Sequence, residues 1–124
     1  MGTHKENDVT ISHIDPSKRL SAAVRHNDTL YIAGQTADTE TGSIEVQTRE
    51  VLSKIDALLA KGGASKAKLL VVNVYLASIA DFAAMNSVYD AWLDADNKPA
   101  RATVETRLAS PNLRVEMTAV AATD

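Results

Sequence analysis

Leu69-Leu70-Val71-Val72-Asn73-Val74-Tyr75-Leu76 is the stretch that decides the fold. It is apolar at almost every position instead of alternating, which suits a strand buried on both faces or lying inside a sheet that helices cover. Its flanks supply the helices. Upstream, Val51, Leu52, Ile55, Leu58 and Leu59 recur at helical spacing and predict a helix over 44–61 with one apolar face. Gly62-Gly63 ends it, because glycine adopts the left-handed C-terminal conformation at little cost. Downstream, Ser78-x-x-Asp81 resembles a helix-capping signal, and Phe82, Met85, Tyr89 and Trp92 follow at spacings of three and four, a stripe that reads as core. Asp96-Asn97-Lys98-Pro99 stops this second helix.

Working outward, residues 9–14 and 20–26 read as strands separated by an Asp15-Pro16-Ser17 turn. Asn27-Asp28 closes a tight hairpin into a third strand at 29–33, which Gly34 ends. Residues 101–108 and 114–122 alternate as two final strands around Ser110-Pro111-Asn112. The order βββαβαββ implies an α+β chain: a single mixed β-sheet with two helices packed on one face. Residues 1–124 read as one domain with a flexible tail at 1–8. Such a sheet leaves its other face bare and rich in small residues, which predicts an oligomer, since a bare apolar face is usually covered by another subunit.

The composition narrows the function. The chain has 124 residues, 45% hydrophobic and 23% charged, and no cysteine, so disulfides, thiolate catalysis and cysteine zinc sites are excluded. No secretory leader and no apolar run of the roughly 20 residues a membrane span needs is visible, which predicts a cytoplasmic protein with no membrane partner. The net charge of -3 and the sparse aromatics (Tyr31, Tyr75, Phe82, Tyr89, Trp92) argue against nucleic acid as a partner. His4, His13 and His26 lack metal-ligand spacing, so no metal is expected; no glycine-rich nucleotide loop and no serine elbow occurs.

One constellation remains. In a strand, Arg101, Thr103 and Glu105 share a face. Glu116, on the next strand, shares its face with Thr118 and Val120, so it is expected to be partly buried, where a carboxylate can be tuned for proton transfer. An arginine beside a small pocket offers a planar fork for a ligand carboxylate. The other reading is a structural or intersubunit ion pair between Arg101 and Glu116, and the residue pattern leaves both open.

Five segments resemble the reactive intermediate deaminase family, also called RidA or YjgF. They are Tyr31-Ile32-Ala33-Gly34-Gln35, Gln47-Thr48-Arg49-Glu50-Val51-Leu52, Asp81-Phe82-Ala83-Ala84-Met85-Asn86, Pro99-Ala100-Arg101-Ala102-Thr103-Val104-Glu105 and Val115-Glu116-Met117-Thr118-Ala119-Val120-Ala121. They run in order from about residue 20 to the C-terminus, and Met85–Trp92 looks most like the YoaB-type branch. The resemblance implies a chorismate-mutase-like fold, a homotrimer with sites in the clefts between subunits, and no cofactor. It implies that Arg101 holds a substrate carboxylate, that Glu116 activates water, and that Thr103, Ala33, Gly34 and Asn86 line the site. The implied substrates are 2-aminoacrylate and related 2-imino acids, hydrolysed to 2-oxo acids and ammonia. Many members carry Gly-Pro-Tyr in the second strand with the tyrosine facing the ligand; here Arg19-Leu20-Ser21 stands there, so Leu20 takes that place. The alternative is a trimeric module that binds small 2-oxo or 2-imino carboxylates without turnover.

Overall fold

The computed structural model describes residues 10–123 and makes of 69–76 the strand its composition requires. In chain order the elements are β1 (Ile11–Pro16), β2 (Ser21–His26), β3 (Thr29–Thr36), α1 (Ile44–Lys61), β4 (Leu69–Leu76), α2 (Phe82–Trp92), β5 (Ala100–Glu105) and β6 (Val115–Ala122), with short 3-10 turns at Lys66–Lys68 and Ile79–Asp81. The tail expected at 1–8, and residue 9 of the first expected strand, lie outside the described residues. The strands form one six-stranded mixed sheet in the order β1-β2-β3-β6-β4-β5, with β4 and β5 parallel and every other pair antiparallel. The chain therefore needs α2 as the crossover between β4 and β5, because parallel neighbours cannot be joined by a hairpin.

Alternation along the strands defines two faces. Leu30 and Ile32 of β3, Val72, Val74 and Leu76 of β4, and Val115, Met117, Ala119 and Ala121 of β6 are buried on one of them. Against that face packs α1 through Ile44, Val51, Leu52, Ile55, Leu58 and Leu59, with α2 beside it through Met85 and Tyr89. Each fully buried Leu, Ile or Met here contributes about 1.5–3 kcal/mol relative to exposure, which is what holds the helices down. No helix among the described residues packs on the opposite face. It carries Val71, Asn73 and Tyr75, then Ala100, Ala102 and Val104, then Glu116, Thr118 and Val120, with Tyr31 and Val104 48% and 47% exposed.

Several boundaries differ from expectation for identifiable reasons. β1 continues through Pro16, which pairs with Ser21; β1 is an edge strand, where a missing N–H does no harm. The turn moves to residues 17–20, where the Ser17 N–H and hydroxyl both donate to the Leu20 carbonyl at 2.7 and 3.0 Å. β3 does not stop at Gly34 but reaches Thr36 through a bulge, since Ile32 pairs with Ala119 and Gln35 with Met117. Ser78 caps the 3-10 turn at Ile79–Asp81, not α2 itself, accepting from the Ala80 N–H at 3.3 Å. α2 ends at Trp92, with Leu93 already extended, well before Asp96 and Pro99. β5 stops at Glu105, because β4, its only strand partner among the described residues, ends at Leu76. α1 ends as expected, and it is Gly63, at φ 79°, that takes the left-handed conformation.

Candidate active site

Sheet register divides the candidate residues into two groups. Arg101 pairs with Val72, which pairs with Ala119, so Arg101 points to the face that the helices cover; Thr103, beside Val74, does the same. Glu116 pairs with Tyr75, which pairs with Val104, so Glu116 points to the bare face. The two charged groups therefore lie on opposite sides of one sheet, and within one chain they form no ion pair. The within-chain form of the structural reading is excluded by this geometry.

The first group is built on the outer strand β5 and on α2. Arg101 is half-buried, and its Nη1 donates to Asn86 Oδ1 at 2.7 Å. Its guanidinium carbon lies 4.8 Å from the centre of the Tyr89 ring and 5.8 Å from that of Phe82, within cation–π range of both. Burial raises the Tyr89 hydroxyl above the usual tyrosine range, and the neighbouring Arg101 charge only partly offsets this. Phe82, Asn86 and Tyr89 are spaced by four and three residues, so one face of α2 presents ring, amide and ring to the guanidinium. Arg101 has no carboxylate partner among the described residues: Glu105, on the same face of β5, accepts instead from the Ile79 N–H at 2.8 Å. Thr103 Oγ1 is buried and finds no hydrogen-bond partner among the described residues.

The second group lies where β3 bulges against β6. Glu116 is half-buried and pairs across to Thr36. A Cβ built on Gly34 would overlap the Glu116 carboxylate, so only a glycine lets this side chain lie across the β3 backbone. The bulge itself is pinned by the Gln35 side-chain amide, which donates to the Ala33 carbonyl at 3.0 Å. A bulge of this kind re-aims side chains locally, which is why it recurs next to functional sites. Gly34→Ala is therefore expected to push the Glu116 carboxylate aside and to lower activity about 10²-fold, the scale of a 1 Å misplacement, with the fold retained. Turnover measured beside a circular dichroism melt checks this.

Leu20 is 60% exposed and stands one residue before β2, with an apolar side chain that can offer a ligand no hydrogen bond. Two participants escape a sequence reading. Phe82, expected in the core with its stripe, is 41% exposed and flanks Arg101; Tyr89 is core on one side and a platform for the guanidinium on the other. The available signal was the placement of both rings at helical spacing from Asn86. No helix among the described residues is long and apolar enough to cross a membrane.

Known proteins share this fold and much of this sequence. The family model described as Endoribonuclease L-PSP matches residues 10–123. The chain is 42% identical over 114 residues to the RutC family protein YoaB of Escherichia coli K12, covering 92% of this chain and 99% of that one. It is 44% identical over 115 residues to a RutC family protein of Haemophilus influenzae, covering 91% and 98%. Among solved structures, a member of the YjgF protein family from Neisseria meningitidis superposes with a TM-score of 0.90 at 38% identity, covering 93% of this chain and 96% of that one. Yeast Mmf1 superposes with a TM-score of 0.85 at 28% identity, covering 93% and 100%.

Proposed function

Since this chain belongs to the YjgF/RidA family, with the RutC proteins among its relatives, we propose that it is an imine deaminase whose site is shared between two copies of the chain in a homotrimer. The observation that carries this reading is the state of Arg101: a half-buried guanidinium, oriented by Asn86 and two rings, with no protein carboxylate to neutralise it among the described residues. Such a group is suited to a carboxylate brought by a ligand, and its remaining donors form the fork that a planar carboxylate fits. The division of Arg101 and Glu116 between opposite faces supports a site made by two chains. One copy presents Arg101, Thr103 and Asn86 from its β5 margin; the other presents Glu116, Ala33 and Gly34 from its bare face. That bare face, with Tyr31 and Val104 exposed, is the surface a second copy would cover.

The chemistry then follows from placement. Protonation of the terminal carbon of 2-aminoacrylate turns the enamine into an iminium, R–C(=NH2+)–COO−. Arg101 grips the carboxylate, and Thr103 Oγ1 gains the partner it otherwise lacks. Water on the far side gives a proton to Glu116 as its oxygen bonds to the iminium carbon, forming a carbinolamine. Glu116 passes that proton to the nitrogen and takes up the hydroxyl proton as the C–N bond breaks, so ammonia leaves and the carbonyl of the 2-oxo acid forms. No redox step occurs, and orientation with one proton relay supplies the rate, through effects worth about 10²–10⁴-fold for the relay alone. Leu20 in place of a ligand-facing tyrosine makes the side-chain end of the pocket apolar.

The family description names a ribonuclease, but this chain has a net charge of -3 and no basic stripe to neutralise phosphates, so RNA is not the substrate we propose. The test generates 2-imino acids with an amino-acid oxidase, adds the protein, and follows imine loss and ammonia release. Accelerated hydrolysis at catalytic protein concentrations supports the deaminase. Binding of pyruvate without any acceleration would replace it with the non-catalytic binding module.

A further inference from the structure

Gln47, on α1, takes no part in the proposed chemistry. Its side chain is fully buried, at 0% exposure, although a glutamine in the first turns of a helix normally reaches water. All of its hydrogen-bonding capacity is directed to two loops. Nε2 lies within hydrogen-bond distance of the carbonyls of Glu40 (3.2 Å), Gly42 (3.1 Å) and Asn112 (3.1 Å), and its two N–H groups are shared among them. Oε1 accepts from the Arg114 N–H at 2.8 Å. One amide thereby ties the loop that leaves β3 to the loop that enters β6. These are the two strands that carry Gly34 and Glu116, and Arg114 stands two residues before Glu116.

Besides Gln47, the two loops are joined by the Ser110 hydroxyl, which donates to the Glu40 carboxylate. The 106–114 segment belongs to no strand and is tied to the end of β4 only at its own ends, where the Thr106 N–H donates to the Leu76 carbonyl at 2.8 Å and the Ala77 N–H to the Arg114 carbonyl at 3.1 Å; the 37–43 segment is a series of bends closed by the Gly42 N–H on the Thr39 carbonyl at 3.0 Å. Where β6 begins, and hence how far along β3 the Glu116 carboxylate lands, depends on where residues 112–114 are held. A displacement of β6 by a fraction of a residue repeat would carry the Glu116 carboxylate away from its place over Gly34.

We infer that Gln47 is the positioning residue for Glu116: it fixes the relative height of β3 and β6 at the bulge, and so sets the water-activating carboxylate without touching substrate. The inference rests on the reading of Glu116 given above. It makes an asymmetric demand, because Arg101 is held by α2 on the other face and owes nothing to Gln47.

The experiment uses the full chain with Gln47→Glu, which keeps the length of the side chain but not its two N–H donors, and Gln47→Met, which keeps the volume and removes every hydrogen bond. Two readouts are taken on each. Amide hydrogen exchange is expected to show protection lost at residues 40–42 and 112–116 while α2 and β5 stay protected. Kinetics are expected to show kcat for imine hydrolysis falling about 10- to 100-fold, the scale of a small misplacement of a catalytic group, while pyruvate binds within about twofold of the parent. If Gln47→Met does not fold, Gln47→Glu carries both readouts. Unchanged exchange at 112–116 overturns the inference, as does a loss of pyruvate binding in step with kcat, which would make Gln47 a general stabiliser. Should the parent protein hydrolyse no imine, the deaminase reading fails, and the exchange pattern alone still decides whether Gln47 holds β6.

Discussion

Arg101→Ala is expected to abolish imine hydrolysis and pyruvate binding together while leaving a folded protein. Two charge-assisted hydrogen bonds to the ligand carboxylate are lost, each worth about 1.5–3 kcal/mol, so kcat/KM falls about 10²- to 10⁴-fold. Arg101→Lys keeps the charge but neither the fork nor the flat surface that stacks between Phe82 and Tyr89, and is expected to fall nearly as far. The stability cost is small by comparison. The chain loses the contact with Asn86 and the stacking on Tyr89, about 1–2 kcal/mol, and not the roughly 3–5 kcal/mol that follows from breaking a buried ion pair, because among the described residues Arg101 has no carboxylate partner. Titration calorimetry with pyruvate, the oxidase-coupled assay and a melting curve on the same sample separate these effects. A variant that keeps full activity would return Arg101 to a structural role.

Glu116→Gln is expected to behave differently. The amide keeps the shape that fits over Gly34 but cannot take the proton of the attacking water, so kcat should fall about 10²–10⁴-fold while pyruvate still binds. A loss of binding equal to the loss of turnover would mean that Glu116 recognises the ligand instead of activating water.

The fold was legible in the sequence where local and global signals agree. The run 69–76 forms the strand inside a helix-covered sheet that was one of its two readings, not one buried throughout, since Leu70 is 49% exposed; the face Val51, Leu52, Ile55, Leu58 and Leu59 is buried as its period requires. The end of the first strand and the end of β3 were not legible, for one reason: proline and glycine read as breaks, whereas tertiary pairing tolerates Pro16 at a sheet edge and uses Gly34 inside a bulge. The site was half legible. Strand alternation correctly put Arg101 and Thr103 on one face, and the half-burial of Glu116 follows from the face it shares with Thr118 and Val120. That the two residues face opposite ways depends on the register between β4, β5 and β6, which no local pattern encodes. The aromatic support of Arg101 was hidden because Phe82 and Tyr89 fit an ordinary core stripe, and Gln47 was hidden because its role depends on two distant loops meeting over α1.

The opposite-face geometry leads to the central claim, that each site takes Arg101 from one copy and Glu116 from another. Mixing tests it directly. Arg101→Ala and Glu116→Gln, each inactive alone, are unfolded together in equal amounts, refolded, and assayed with light scattering on the same sample. In a ring of identical contacts with random assembly, roughly a quarter of the sites would pair an intact Arg101 with an intact Glu116, so about that fraction of the parent activity should return in particles of trimer size. Trimers that regain no activity, or a monomer in solution at micromolar concentration, would contradict the account.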